Sequence, residues 1–216
     1  QFYWWRDEVP GMEDAALRLC ALRDAGKIRH VAVTNMDVAH LRRLLDAGVE
    51  LVSDQVQYSV LDRRPEHGLA EAAGAAGIRL LAFGALAGGF LSRRWLGSPD
   101  PAAVESRSQT KYRLIVEEFG GWAAYQALLA ELAAIADAHG VDVSAVAIRF
   151  VLQQPGVAGV ICGATKRGQM ERNAEAFDFA LASDELERIR RLTDAAPGPG
   201  GDVFELERDR SGPHGR

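Results

Sequence analysis

Three cations and two amides crowd into one short stretch of this chain: Lys166, Arg167 and Arg172, with Gln169 and Asn173. The residues before them, Val157 to Cys162, are an apolar run that reads as a buried strand. Gly163, Ala164 and Thr165 then make a turn small enough for a ligand to approach the backbone. A helix starting there presents unpaired N–H groups and the positive end of its dipole, which suits an anion. Lys and Arg oppose that dipole, and an anionic ligand removes the conflict. An ordinary strand-to-helix turn with solvated charges accounts for the same residues, because short motifs often match by chance. A second set is more dispersed. Asn35, Gln55 and Phe83 lie at or near the ends of three further strand-like runs. An amide both donates and accepts, so Asn35 and Gln55 together match a carboxamide, and Phe83 offers a face to a flat ring. A carboxamide on an aromatic ring is the chemistry of nicotinamide. Taken singly, a capping Asn35, a solvated Gln55 and a core Phe83 are the plainer assignments.

The elements that must position these groups alternate. Strands are predicted near Phe2, Ile28, Leu51, Ile78 and Val157, with Ile78 to Phe83 apolar on both faces as in a covered parallel strand. Between them run helical patterns: Met12 to Leu22, stopped by Gly26; a helix capped by Asp37 with Leu41, Leu44 and Leu45 on its apolar face; and Glu66 to Ala76. Trp122 to His139 is a long amphipathic helix, Ser144 caps the next, and Asp184 with Glu187 is spaced like a capping box for the last. Gly84 to Gly121 is a long loop with a short helix from Lys111 to Phe119, and loops of that length usually carry function or are disordered. From Ala195 the chain is rich in Pro, Gly and charge. Residues 195–216 are expected to be a flexible tail, with Glu205, Glu207, Arg208 and Asp209 as solvated charge. Such alternation implies a parallel α/β sheet. About five units are too few for a closed (β/α)8 barrel. Either the sheet is open, or three units are missing before Gln1, where the chain starts inside a strand-like Gln1-Phe-Tyr-Trp-Trp5 without Met.

Composition removes several function classes. A formal net charge of −5 over 216 residues argues against a general nucleic-acid binder. Cys20 and Cys162 form no CxxC or zinc spacing and read as reduced core residues of a cytoplasmic protein. No apolar run approaches the ~18 residues of a membrane span, and no signal peptide is visible. None of His30, His40, His67, His139 or His214 has catalytic or metal-ligand spacing.

Five segments in order carry a family resemblance. Gly26-Lys-Ile-Arg through Val-Thr-Asn35 is one, and Asp54-Gln-Val-Gln-Tyr-Ser-Val-Leu-Asp-Arg-Arg64 is the second. Leu81-Ala-Phe-Gly-Ala-Leu-Ala-Gly-Gly-Phe-Leu91 and Ala147-Ile-Arg-Phe-Val-Leu-Gln-Gln-Pro155 are the third and fourth. The fifth is the Gly163-Ala164…Gln169…Asn173 loop. Together they resemble the aldo-keto reductases, and align this chain with strands four to eight of that family's barrel. The resemblance implies a fold of the (β/α)8 TIM-barrel type, here incomplete, with residues 1–194 as a partial NADP-dependent oxidoreductase domain. It implies NADP(H) as cofactor and a small-molecule carbonyl substrate, with no nucleic acid or membrane partner and an undetermined oligomeric state. Thr34, Asn35 and Gln55 would hold the nicotinamide carboxamide, and Phe83 would stack on the ring. Gly84, Leu86 and Gly88 would run under the pyrophosphate. Gly163, Ala164, Lys166, Arg167, Gln169, Arg172 and Asn173 would surround the adenosine and its 2′-phosphate, the cations favouring NADPH over NADH.

The departures matter equally. The family's catalytic set is Asp, Tyr, Lys and His, and the first three belong to barrel units with no counterpart here. The His position is taken by Tyr3. A phenol near pKa 10 can donate a hydrogen bond to substrate but is a poorer acid than His. The expectation is therefore hydride transfer from NADPH to an aldehyde or ketone in the whole protein, with these residues alone inactive. The alternative is a non-catalytic NADP(H) sensor or scaffold derived from the same barrel.

Overall fold

A computed structural model of the chain describes residues 1–104, 106–164, 167–209 and 211–214. Its centre is one parallel sheet of five strands in chain order: β1 (Phe2–Tyr3), β2 (Val33–Thr34), β3 (Ser53–Gln57), β4 (Arg79–Phe83) and β5 (Val157–Ile161). Parallel neighbours need a crossover, and helices supply it. These are α1 (Met12–Asp24), α2 (Val38–Asp46), α3 (Leu69–Ala75), and between β4 and β5 the run α4 (Arg107–Phe119), α5 (Gly121–His139) and α6 (Val143–Leu152). After β5 come α7 (Gln169–Ala174), α8 (Ser183–Ala195) and α9 (Glu205–Arg208). The strand order is that of consecutive units of a (β/α)8 barrel, and the sheet is not closed.

The openness explains the main difference from the sequence pattern. β4 was expected to be covered on both faces, yet only Leu80 and Ala82 are buried, while Leu81 and Phe83 are half-buried. Side chains alternate along a strand, so the first pair meets the helices and the second faces the side a closed barrel would fill. The helix-facing layer is well packed. Val33, Val56, Leu80 and Ala82 are fully buried, as are Leu41 and Leu44 of α2 and Leu128, Leu129 and Leu132 of α5. Each such Leu stabilises by about 1.5–3 kcal/mol.

Asp37 caps α2 by accepting from the His40 N–H at 2.9 Å. The cap of α6 is Asp142, which accepts from the Ser144 N–H, and Ser144 is inside the helix. The carboxylate that closes the start of α8 is Glu185, accepting from the Ala182 N–H, in place of Glu187. The expected helix from Glu66 divides into a 3-10 turn at Arg64–Glu66 and α3, because Gly68 takes a left-handed φ of 104° between them. β2 pairs over two residues only, with β1 on one side and with β3 on the other. The expected helix at Lys111 starts earlier, at Arg107. Among the described residues no helix is long and apolar enough to cross a membrane.

Candidate functional site

The sheet register gathers the first group of candidates. Tyr3 pairs with Thr34 and Thr34 with Gln55, so these three sit side by side on neighbouring strands. Asn35 follows directly and is nearly buried. Its φ is 55°, a left-handed conformation that Asn tolerates better than most residues. Its N–H donates to the Gln55 carbonyl at 3.0 Å. Burial raises the Tyr3 pKa, and the neighbouring Asn35 amide and Arg208 charge offset part of the rise. Tyr3 therefore stays a neutral phenol at neutral pH. Its ring meets Trp5 and Phe204 edge-on, with centroids 5.6 and 5.9 Å away.

β4 brings Phe83 beside Gln57, and β5 pairs Phe83 with Ile161. The Phe83 face is not bare. Lys111 of α4 holds its ammonium 5.6 Å from the ring centroid, and reaches Glu207 at 3.5 Å. Burial lowers the Lys111 pKa, with Glu207 opposing. Just beyond, Gly84 (φ 74°) and Gly88 (φ 62°) permit the close backbone approach that the sequence suggested. Here the approach is made by Tyr112 of α4. A Cβ at Gly84 would collide with the Tyr112 hydroxyl, and one at Gly88 would lie 2.7 Å from its ring. Leu86 is half-buried alongside.

The C-terminal stretch contributes most of what the sequence did not foretell. Read as solvated, Glu207 is in fact buried, and the Arg208 side chain is only 12% exposed. Glu207 accepts from both terminal nitrogens of Arg64, at 3.0 and 3.1 Å. Arg64, 1% exposed, also donates to Asp62 at 2.9 and 2.8 Å. Asp62 accepts in addition from Gln57 at 2.6 Å. A buried guanidinium needs such partners, since unpaired burial of a charge is prohibitive. Arg208 donates to Asp37 at 2.6 Å and to the Asn35 carbonyl at 2.8 Å, and lies 3.4 Å from Asp7. Asp202 accepts from the Val38 N–H at the start of α2. The segment is thus laid over the carboxyl ends of the strands. Its one local signal was the apolar pair Val203-Phe204 inside a polar run, both now buried. Two carboxylates under it diverge. Burial raises Asp54 to about 8, with the Met36 N–H as the chief opposing contact. Asp37, despite partial burial, is held down to about 2 by His40 and Arg208.

The second group sits one strand away. Gly163 and Ala164 follow β5 and are exposed, as are Arg167 and Arg172; Gln169 is half-buried and Asn173 is buried. Thr165 and Lys166 lie outside the described residues. Gly168, at φ 81°, precedes α7, and a Cβ there would stand 3.4 Å from an Arg172 terminal nitrogen. The cation is thus folded back over the turn. Cys162 is half-buried, with its thiol pKa raised by burial. Cys20 and Cys162 are both free. Among the described residues, no group of three or more His, Cys, Asp or Glu side chains could hold a metal ion.

Known proteins resemble this chain in sequence and in fold. The model of the Aldo/keto reductase family matches residues 1–194. The chain is 31% identical over 197 residues to Protein tas of Escherichia coli (strain K12), covering 88% of this chain and 56% of that protein. It is 36% identical over 128 residues to flagellar radial spoke protein 5 of Chlamydomonas reinhardtii, covering 57% of this chain and 24% of that protein. The solved glycerol dehydrogenase of Gluconobacter oxydans superposes with a TM-score of 0.75 at 24% identity, over 92% of this chain and 59% of its own. The holo form of an aldo-keto reductase from Bacillus halodurans gives 0.69 at 20% identity, over 96% and 62%. The chain spans about half the length of the curated relatives whose likeness runs nearly its whole length.

Proposed function

Because the chain belongs to the aldo/keto reductase family, we propose that the whole protein reduces an aldehyde or ketone with NADPH, and that these 216 residues carry its cofactor-holding half. The observation that carries this reading is the convergence of Thr34, Asn35, Gln55 and Phe83 on adjacent strand ends, one strand from a glycine-led turn flanked by Arg167 and Arg172. Ligands of parallel α/β folds sit at the carboxyl ends of strands.

The residues fit the cofactor unevenly. Thr34, Asn35 and Gln55 offer the mixed donors and acceptors a carboxamide needs, and Phe83 would offer a ring face once the Lys111 ammonium over it moves aside. Gly163, Ala164, Lys166, Arg167, Gln169, Arg172 and Asn173 would hold the adenosine and its 2′-phosphate, with the guanidinium groups pairing the extra charge. Gly84, Leu86 and Gly88 would line the pyrophosphate only once the Tyr112 ring yields. When bound, NADPH supplies the hydride. This chain's own part is to orient the ring, exclude water and offer the Tyr3 hydroxyl to a substrate oxygen. The Asp, Tyr and Lys of the family's catalytic set would come from residues other than these. With Cys20 and Cys162 both free thiols, we propose a reducing compartment, the cytoplasm, as the place of work.

A non-catalytic NADP(H) sensor is the second reading, favoured by Tyr3 in place of His. Loss of reduced-nicotinamide absorbance by the whole protein, over a panel of aldehydes and ketones, separates the two. Turnover faster with NADPH than with NADH supports the reductase. NADPH binding without turnover of any carbonyl supports the sensor and overturns the first reading.

A further inference from the structure

We propose that Arg208 is a positioning residue for the nicotinamide end of the site, acting through Asn35. The inference rests on the cofactor reading above and adds a residue from the far end of the chain. Asn35 is one of three non-glycine residues with positive φ among those described, with Ala87 and Phe204. Left-handed backbone is disfavoured for any residue with a Cβ and persists where the surroundings hold it. Two hydrogen bonds to its main chain do so here. The Asn35 N–H donates to the Gln55 carbonyl at 3.0 Å, and the Asn35 carbonyl accepts from Arg208 Nη2 at 2.8 Å. The first fixes Asn35 to the strand that carries its partner amide, and the second fixes the peptide that follows.

Arg208 can do this because it is itself held. Nη1 donates to Asp37 at 2.6 Å, Nε lies 3.4 Å from Asp7, and the guanidinium lies 5.7 Å from the Phe204 ring centroid. One planar fork thus bridges the α2 cap and the Asn35 carbonyl. An ammonium has no fork and reaches these two acceptors less well at once. Without the clamp, Asn35 is free to relax to ordinary backbone, which turns its amide away from Tyr3. The adenosine end, on the far side of β4 and beyond β5, does not depend on this contact.

The test compares two ligands on the whole protein: NADPH, and 2′,5′-ADP, which has the adenosine end and no nicotinamide. Arg208→Ala should weaken NADPH about tenfold while 2′,5′-ADP stays within about twofold. Arg208→Lys should fall between Ala and the unaltered protein. Melting temperatures identify folded samples, and if Arg208→Ala does not fold, Arg208→Lys carries the comparison. A folded variant that binds NADPH unchanged overturns the inference. So does an equal loss for both ligands, which makes Arg208 a general clasp. An unaltered protein that binds 2′,5′-ADP but gains nothing from the nicotinamide half removes this inference and leaves an adenosine-anion site. One that binds neither ligand removes the cofactor reading itself.

Discussion

The two ends of the candidate site are built differently. At the ends of β1 to β4 two largely buried guanidinium groups are already paired: Arg64 with Asp62 and Glu207, Arg208 with Asp37 and the Asn35 carbonyl. After β5 the charges are exposed on a turn and a six-residue helix. The first end is organised by contacts that span more than 140 residues of sequence, the second by one local motif. The first should therefore be coupled to folding, and the second to ligand alone.

The largest effect expected is at the buried end. Arg64→Ala leaves Asp62 and Glu207 buried without their cation, and should destabilise by about 3–5 kcal/mol in a denaturant titration. Arg167→Ala with Arg172→Ala should leave the same titration within about 0.5 kcal/mol. Equal stability losses at the two ends would erase the distinction.

Next comes the contact that fills the segment proposed to run under the pyrophosphate. Gly84→Ala must displace Tyr112, and should cost about 2–3 kcal/mol from combined overpacking and backbone strain. Gly89→Ala meets nothing within 4 Å. With a φ of 94°, it should cost only the strain, about 1 kcal/mol. Similar values would mean that Tyr112 does not rest on Gly84.

The two carboxylates under the C-terminal segment sharpen the comparison through pH. Asp37 titrates near 2 when folded and near 3.8 when unfolded, so its contribution of about 2 kcal/mol is present above that range and lost as pH falls through it. Asp54 has the opposite sign. Its folded pKa of about 8 exceeds its ordinary 3.8, so the folded state holds a proton the unfolded chain has released, and stability falls as pH rises between them. Asp54→Asn should flatten the loss between roughly pH 5 and 8, and Asp37→Asn should remove the acid-side dependence. An unchanged slope in Asp54→Asn would show that its carboxyl is solvated.

The smallest effect expected is on ligand preference. Removing Arg167 and Arg172 should narrow the NADPH-over-NADH affinity ratio by about tenfold, since exposed charge pairs contribute about 1 kcal/mol or less each.

How much of this was legible follows from the same contrast. The strand–helix alternation and the Asp37 cap are local patterns and are legible directly, whereas the run at β5 promised a buried strand and an immediate helix: only Val157 is buried there, and α7 starts at Gln169. The register that sets Thr34 beside Gln55 follows once the strands are placed. Glu207 and Arg208 were read as solvated because nothing near them marks their partners, which lie around Asp62, Arg64 and Asp37. Tyr112 over Gly84 and Gly88 was hidden for the same reason: the helix that carries it is a local pattern, but the glycines it packs on lie more than twenty residues away. The burial of β4 is not legible locally because both its faces are apolar, and only the open sheet shows which one the helices cover.

The most direct measurement is calorimetric titration of the whole protein with NADPH, repeated with Asn35→Ala and Gln55→Ala together. The account predicts binding by the unaltered protein and a loss of at least about tenfold in the double variant, with 2′,5′-ADP affinity retained. NADPH affinity untouched by the double variant would contradict it, and would move the nicotinamide away from the ends of β2 and β3.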